Sequence, residues 1–238
     1  MHLHRNLTTA FAACAALAGL VPAYAATVSF AGPTPYLQAS DNPMAGAFAY
    51  QHLEDFEDGL ANAPGLVASG GFGSGRSPFS DSVDADDGVI DGSGANGQSW
   101  YSGGNLGAIT FSFSAATLGA LPTQVGIVFT DIGNRNDGGP LGYGTAFLQA
   151  YDGNGALLGA LSFDFGDGTA FSATAEDRFA GARYAGGIGS IRVGFVGSVD
   201  WEVDHLSFAA AVPEAGTWAL LAAGLLVTAG TMRRRRAR

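Results

Sequence analysis

The chain has 238 residues with 11 Lys or Arg against 21 Asp or Glu, a formal charge of −10, and one cysteine. Twenty of the acidic residues but only five of the basic ones fall between Ala26 and Ala211, so that stretch carries about −15. Such a field opposes nucleic acid and anionic lipid and suits cations or neutral partners such as sugars, and the lone Cys14 excludes a disulfide framework.

The amino terminus reads as an export signal. His2, His4 and Arg5 precede an apolar run from Phe11 to Val21, and Ala23-Tyr24-Ala25 has the small-x-small form of a cleavage site. Residues 1–25 are therefore expected to leave, Cys14 with them, giving a mature chain that begins near Ala26. Residues 26–211 are enough for one β-domain with a sizeable core, stabilised by packing, hydrogen bonds or bound ions and not by thiols.

Within that body short runs of Val, Ile, Phe and Tyr alternate with Gly, Asn, Asp and Pro, and no long helical period appears. The pattern predicts an all-β fold, an antiparallel β-sandwich of jelly-roll-like form. Strands are expected at Ile109–Phe113, Val125–Thr130, Thr145–Tyr151, Leu157–Phe163, Ile188–Phe195 and Trp201–Phe208. In ITFSF, Ile109, Phe111 and Phe113 share one face, as a half-buried strand requires. Asp152-Gly153-Asn154-Gly155 predicts a hairpin between two of these runs. The glycine-dense stretch from Gly70 to Gly107 reads as long loops, because Val89, Ile90, Trp100 and Tyr101 within it call for burial.

Two acidic segments bracket the domain, Glu54-Asp55-Phe56-Glu57-Asp58-Gly59 and Trp201-Glu202-Val203-Asp204-His205-Leu206. First and last strands of an antiparallel sandwich commonly lie side by side, which would bring Glu57 or Asp58 near Asp204. Carboxylates that close repel unless a cation lies between them, and calcium accepts several oxygens in irregular geometry. A solvated strand edge is the alternative. The Phe56-Glu57-Asp58-Gly59 opening and the closing strand from Trp201 to Leu206 resemble the calcium-bearing jelly-roll of many carbohydrate-binding modules. That resemblance implies a structural ion held by Glu57 and Asp204. A third cluster, Asp81 to Gly92, fails the EF-hand pattern: with Gly88 at the sixth position, Val83 and Ala85 fall where ligands belong. Hydrated turn residues, or irregular ligation by Asp84, Asp86 and Asp91, remain open for it.

Catalytic patterns are weak. Glu202-Val203-Asp204 has the start of a glucanase E-x-D-x-x-E strand, but Ser207 stands where the acid belongs. Only His52 and His205 survive processing, and Ser74 has Phe72 in place of the first glycine of a nucleophile elbow. No enzyme is expected. For binding, Trp100 and Tyr101 are the candidate glycan contacts, with Gln98 and Asn105 as polar neighbours, and a buried loop anchor as the alternative for Trp100.

The carboxy-terminal 27 residues, 212–238, run Val212-Pro213-Glu214, then an uncharged apolar stretch from Ala215 to Met232, then Arg233, Arg234, Arg235 and Arg236. As a helix the apolar stretch spans about 27 Å, close to the hydrocarbon thickness of a bilayer, and the arginines would hold the end in the cytoplasm. A plain single-pass anchor fits, and so does a removable signal. The order of elements resembles the PEP-CTERM sorting signal of Gram-negative, exopolysaccharide-producing bacteria, with Ala215 where that family has a second proline. The resemblance implies recognition and removal by an inner-membrane exosortase and delivery to the cell surface or extracellular matrix, with exopolysaccharide as a further expected partner. Asp81–Gly92, Leu118–Asp131, Ala175–Gly181 and Trp201–Phe208 together also resemble the exported domain of a set of PEP-CTERM proteins, which supports one domain and implies no chemistry.

Overall fold

The computed structural model describes residues 26–44, 46–75, 82–83, 97–131, 144–165, 177–212 and 224–225. Its strands are β1 (Ser29–Pro35), β2 (Phe48–Glu54), β3 (Leu66–Ala68), β4 (Phe72–Gly73), β5 (Trp100–Tyr101) and β6 (Ala108–Phe113). There follow β7 (Gln124–Asp131), β8 (Gly144–Asp152), β9 (Leu157–Phe165), β10 (Arg178–Arg183), β11 (Ile188–Val196) and β12 (Glu202–Ala211). A single helical turn, α1 (Ala115–Leu118), is capped by the Ser114 hydroxyl and closed by Gly119 at φ 83°. The six strands expected from the sequence are all present, with ends displaced by at most three residues.

Every strand pair is antiparallel. One sheet has the order β1-β10-β7-β12-β5-β4, with β2 also paired to β12; the other has the order β3-β6-β11-β8-β9. The two sheets share one core. Phe129 of the first meets Phe163 and Phe195 of the second edge-on, at 5.4 and 5.6 Å, and Phe113 packs 5.0 Å from Phe208. Alternation explains which residues enter it: in β8, Ala146, Leu148 and Ala150 are buried while Thr145, Phe147 and Gln149 are not. The β8–β9 hairpin forms at Asp152–Gly155, where Asp152 Oδ1 accepts the N–H groups of Asn154 and Ala156 at 2.8 Å each. Those donors hold the Asp152 carboxyl below the usual carboxylate range.

A second, smaller core lies on the outer face of the larger sheet, where Tyr36, Val83, Val128 and Phe179 pack with Ala31 and Met44. The cross-strand pair Gly126 and Gly181 makes room for it: the Phe179 ring lies over both, and a Cβ at Gly126 would sit inside that ring. The chain from residue 36 to 44 and the Ser82-Val83 pair thus roof this sheet.

At one end of the sandwich Thr27, Ser29, Tyr50, Leu121, Tyr184 and Val212 line an open groove of about 1030 Å³. Burial pushes the Tyr50 hydroxyl up to about 12, and that hydroxyl donates to Ala120 O at 2.8 Å. Residues 1–25, Pro213, Glu214 and Arg233–Arg236 lie outside the described residues, so the expected export and sorting segments do too. Among the described residues no helix is long and apolar enough to cross a membrane; of the expected transmembrane stretch only Gly224 and Leu225 are described, and both are helical.

Candidate functional site

The closing strand positions the candidate site. β12 is flanked by β7 on one side and by β2 and then β5 on the other, so it is central, and every residue from Glu202 to Ala210 is buried. Simple alternation would put Val203 and His205 on one face. The ladder breaks that pattern: Asp204 opposes Val128 and Ser207 opposes Gly126, leaving one extra residue in β12. His205 absorbs the bulge at φ 44°, in the left-handed region that non-glycine residues rarely occupy. Val203 and Leu206 consequently both enter the main core, while Asp204 and His205 both reach the opposite face. There His205 stands edge-on to Tyr36, with Nδ1 3.5 Å from the phenolic oxygen.

Because Leu206 pairs with Glu54 in antiparallel register, the residues just past β2 run alongside Asp204. Glu57 and Asp204, the two carboxylates implied as ion ligands, do meet, and Ser82 stands between them. Ser82 Oγ lies 3.1 Å from Glu57 Oε1 and 3.0 Å from Asp204 Oδ2. Backbone donors hold both acids: Gln98 N reaches Glu57 Oε1 at 2.7 Å, Val83 N reaches Asp204 Oδ2 at 3.0 Å, and His205 N reaches Asp204 Oδ1 at 2.7 Å. A serine hydroxyl has one proton to donate. It can serve one of the two carboxylates at a time, and the other contact sets oxygen lone pairs against each other unless a proton or a cation is shared.

Asp58 does not join them. Its carboxylate turns outward, accepting from Leu60 N at 2.9 Å and Asn62 Nδ2 at 2.7 Å, so it works as a local turn lock. For calcium, the described residues fit in part: two carboxylates and a hydroxyl, against the six to eight oxygens the ion takes. Among the described residues no three His, Cys, Asp or Glu side chains converge on one point, and Asp84, Asp86 and Asp91 lie outside the described residues.

Two further acids, not singled out in the sequence as site residues, are buried on the same pair of strands, each with its own partners. Glu54 is buried at the end of β2 and gathers the N–H groups of Asn62 and Ala63, both at 2.6 Å, and of Phe56 at 3.3 Å. Burial pushes its carboxyl above the usual range, partly offset by those three donors. Glu202 is buried and accepts from Ser99 Oγ at 2.5 Å, with Ser74 Oγ 3.1 Å behind that serine. Ser207, at the position where a glucanase strand would carry its acid, accepts from Asn42 Nδ2 at 3.3 Å.

The aromatic candidates part company. Trp100 is a core residue, 8% exposed, with its indole Nε1 on Gly70 O at 3.0 Å and its ring 5.3 Å from that of Phe56. Of the two readings open for Trp100, this burial favours the loop anchor over the glycan contact. Tyr101 is half-buried, its hydroxyl anchored to Asp200 Oδ1 at 2.7 Å. The ring that meets solvent is Phe72, opposite Tyr101 in the β4–β5 pair, T-shaped to it at 5.5 Å and 53% exposed. An aromatic residue set among glycines in Gly70-Gly71-Phe72-Gly73 was the available signal for it. Of the sorting-signal residues, Val212 alone is described; it is exposed and its N–H donates to Ala47 O at 3.0 Å. No family model, no curated protein and no solved structure matches this chain.

Proposed function

We propose that this is an exported, non-catalytic component of the cell surface or exopolysaccharide matrix of a Gram-negative bacterium, a jelly-roll-like sandwich sorted through its PEP-CTERM-like carboxy terminus by an exosortase. The export and sorting half rests on the two ends of the sequence. The non-catalytic half rests on one observation: Glu202, Asp204 and His205 of the closing strand are each at most 6% exposed and turned to internal partners. Acids and a histidine so engaged act as ties between loops and sheet. The test is the intact mass of the protein recovered from the matrix, expected to lack residues 1–25 and the arginine-rich tail. A matrix form that keeps the tail rejects processing, and a product confined to the cytosol rejects the whole reading.

Calcium belongs to this proposal as a structural tie, with Glu57 and Asp204 as the carboxylate ligands beside Ser82. A cation bound only by the folded state raises stability by mass action, about 2.7 kcal/mol at a hundredfold excess over Kd. Millimolar calcium is therefore expected to raise the thermal midpoint of the full chain by about 5 °C or more, reversed by a chelator. A midpoint that moves with neither addition removes the ion from the account.

A second reading, a sugar-binding module with a definite ligand, is favoured by the exposed Phe72 ring beside Tyr101. A glycan-active enzyme ranks third.

A further inference from the structure

The outer face of the larger sheet is roofed by the small second core, whereas no such core is built on the outer face of the five-stranded sheet among the described residues. That face carries an ordered polar and aromatic network. Phe147, Gln149 and Tyr151 occupy alternate positions of β8, all half-buried, above the buried Ala146, Leu148 and Ala150. Arg192 of the neighbouring β11 pairs in register with Gln149 on one side and with Thr110 of β6 on the other.

The side chains hold one another in place. Arg192 Nη1 donates to Gln149 Oε1 at 3.2 Å, and the Tyr151 hydroxyl donates to the same oxygen at 2.9 Å. The guanidinium carbon sits 5.1 Å from the centroid of the Phe147 ring. No carboxylate pairs with Arg192 among the described residues, although it is one of five basic residues in a body of about −15. Guanidinium has five N–H donors, and Gln149 takes one of them. With its oxygen engaged twice, Gln149 also keeps both amide N–H donors outside this network.

We propose that this face binds a neutral sugar residue of a polysaccharide, Arg192 and Gln149 donating to neighbouring ring hydroxyls while Phe147 and Tyr151 flank the apolar C–H faces of the ring. Fixed donors with aromatic flanks on a rigid sheet suit a polyol, because each hydroxyl can accept and the ring faces lose little water. The acidic body disfavours a polyanion at the same place. The assignment rests on the proposed association with polysaccharide but uses a different surface from Phe72 and Tyr101.

Isothermal titration of the full chain in detergent with neutral β-glucan and galactomannan hexasaccharides tests it, with polygalacturonate as the charged control. Losing charge-assisted hydrogen bonds should raise Kd about tenfold or more in Arg192→Ala. Gln149→Ala should weaken binding in the same direction, and Arg192→Lys should be intermediate because it lacks the fork. Phe72→Ala is expected to leave the affinity unchanged. Parental affinity in both Arg192→Ala and Gln149→Ala overturns the proposal, as does tighter binding of polygalacturonate or no binding of either neutral oligomer. In those cases a protein still recovered from the matrix leaves the proposed function standing; a protein absent from the matrix sinks that function whatever the titrations show.

Discussion

Replacing Trp201 with alanine is expected to cost about 4 kcal/mol of unfolding free energy, the scale of removing a fully buried tryptophan from a core that cannot collapse around the void. The side chain has no exposed surface, its ring lies 5.7 Å from that of Phe195 in the facing sheet, and its indole Nε1 donates to Leu106 O at 2.7 Å. Its backbone N–H, which alanine would keep, donates to Ser102 Oγ at 3.2 Å, and that serine in turn donates to Val199 O. One residue therefore joins the two sheets and fixes the loop into β12. Domains of this kind have only about 5–15 kcal/mol in hand, and here no disulfide supplements it. Denaturant unfolding of the variant should show a lower midpoint with an unchanged slope; a loss below about 1 kcal/mol would contradict the packing described.

Glu54→Ala is the second large effect, about 3 kcal/mol, because it strands three backbone N–H groups, two of them on the buried residues Phe56 and Ala63. Glu54→Gln keeps the shape and one acceptor and is expected to cost less. The two variants differ from wild type in pH dependence as well. Burial raises the folded carboxyl above its ordinary range, so folding favours the protonated form. Stability from that protonation is fully present below the unfolded value and is lost as pH climbs through the folded one. The advantage of wild type over Glu54→Gln should accordingly narrow as pH rises through and above the ordinary glutamate range; a widening gap would falsify the assignment of burial as the dominant influence.

How far the fold could be read follows from side-chain size. Strands whose inner positions are large, such as Ile109, Phe111 and Phe113 in β6, announce themselves by alternation. β10 does not, since the residues it turns into the main core are only Ala180 and Ala182, and Gly181 on the other face is bare so that Phe179 can lie across it. β1 carries Gly32, Pro33 and Pro35, residues that normally punctuate strands and are tolerated here at a sheet edge. The meeting of Glu57 with Asp204 was legible from the adjacency of chain ends in an antiparallel sandwich. Ser82 between them was hidden inside a run of aspartates. The bulge at His205 left only a faint trace, the three-residue spacing from Val203 to Leu206, because period-two reasoning assumes an unbroken ladder. For Trp100 the sequence left two readings open, because a glycine-rich neighbourhood looks exposed; Gly71 is there to let the indole pack close to backbone.

The groove that Thr27 and Ser29 share with Val212 means that the first and last described segments of the body leave from a single pole. β12 runs away from that pole for ten residues, about 30 Å, to the turn at Gly103-Gly104-Asn105 beside Tyr101. A molecule held by its tail would present that far turn outermost and keep its two broad sides upright, so bulky fusions at either terminus would crowd the point of attachment, whereas an insertion at Gly104 would project freely.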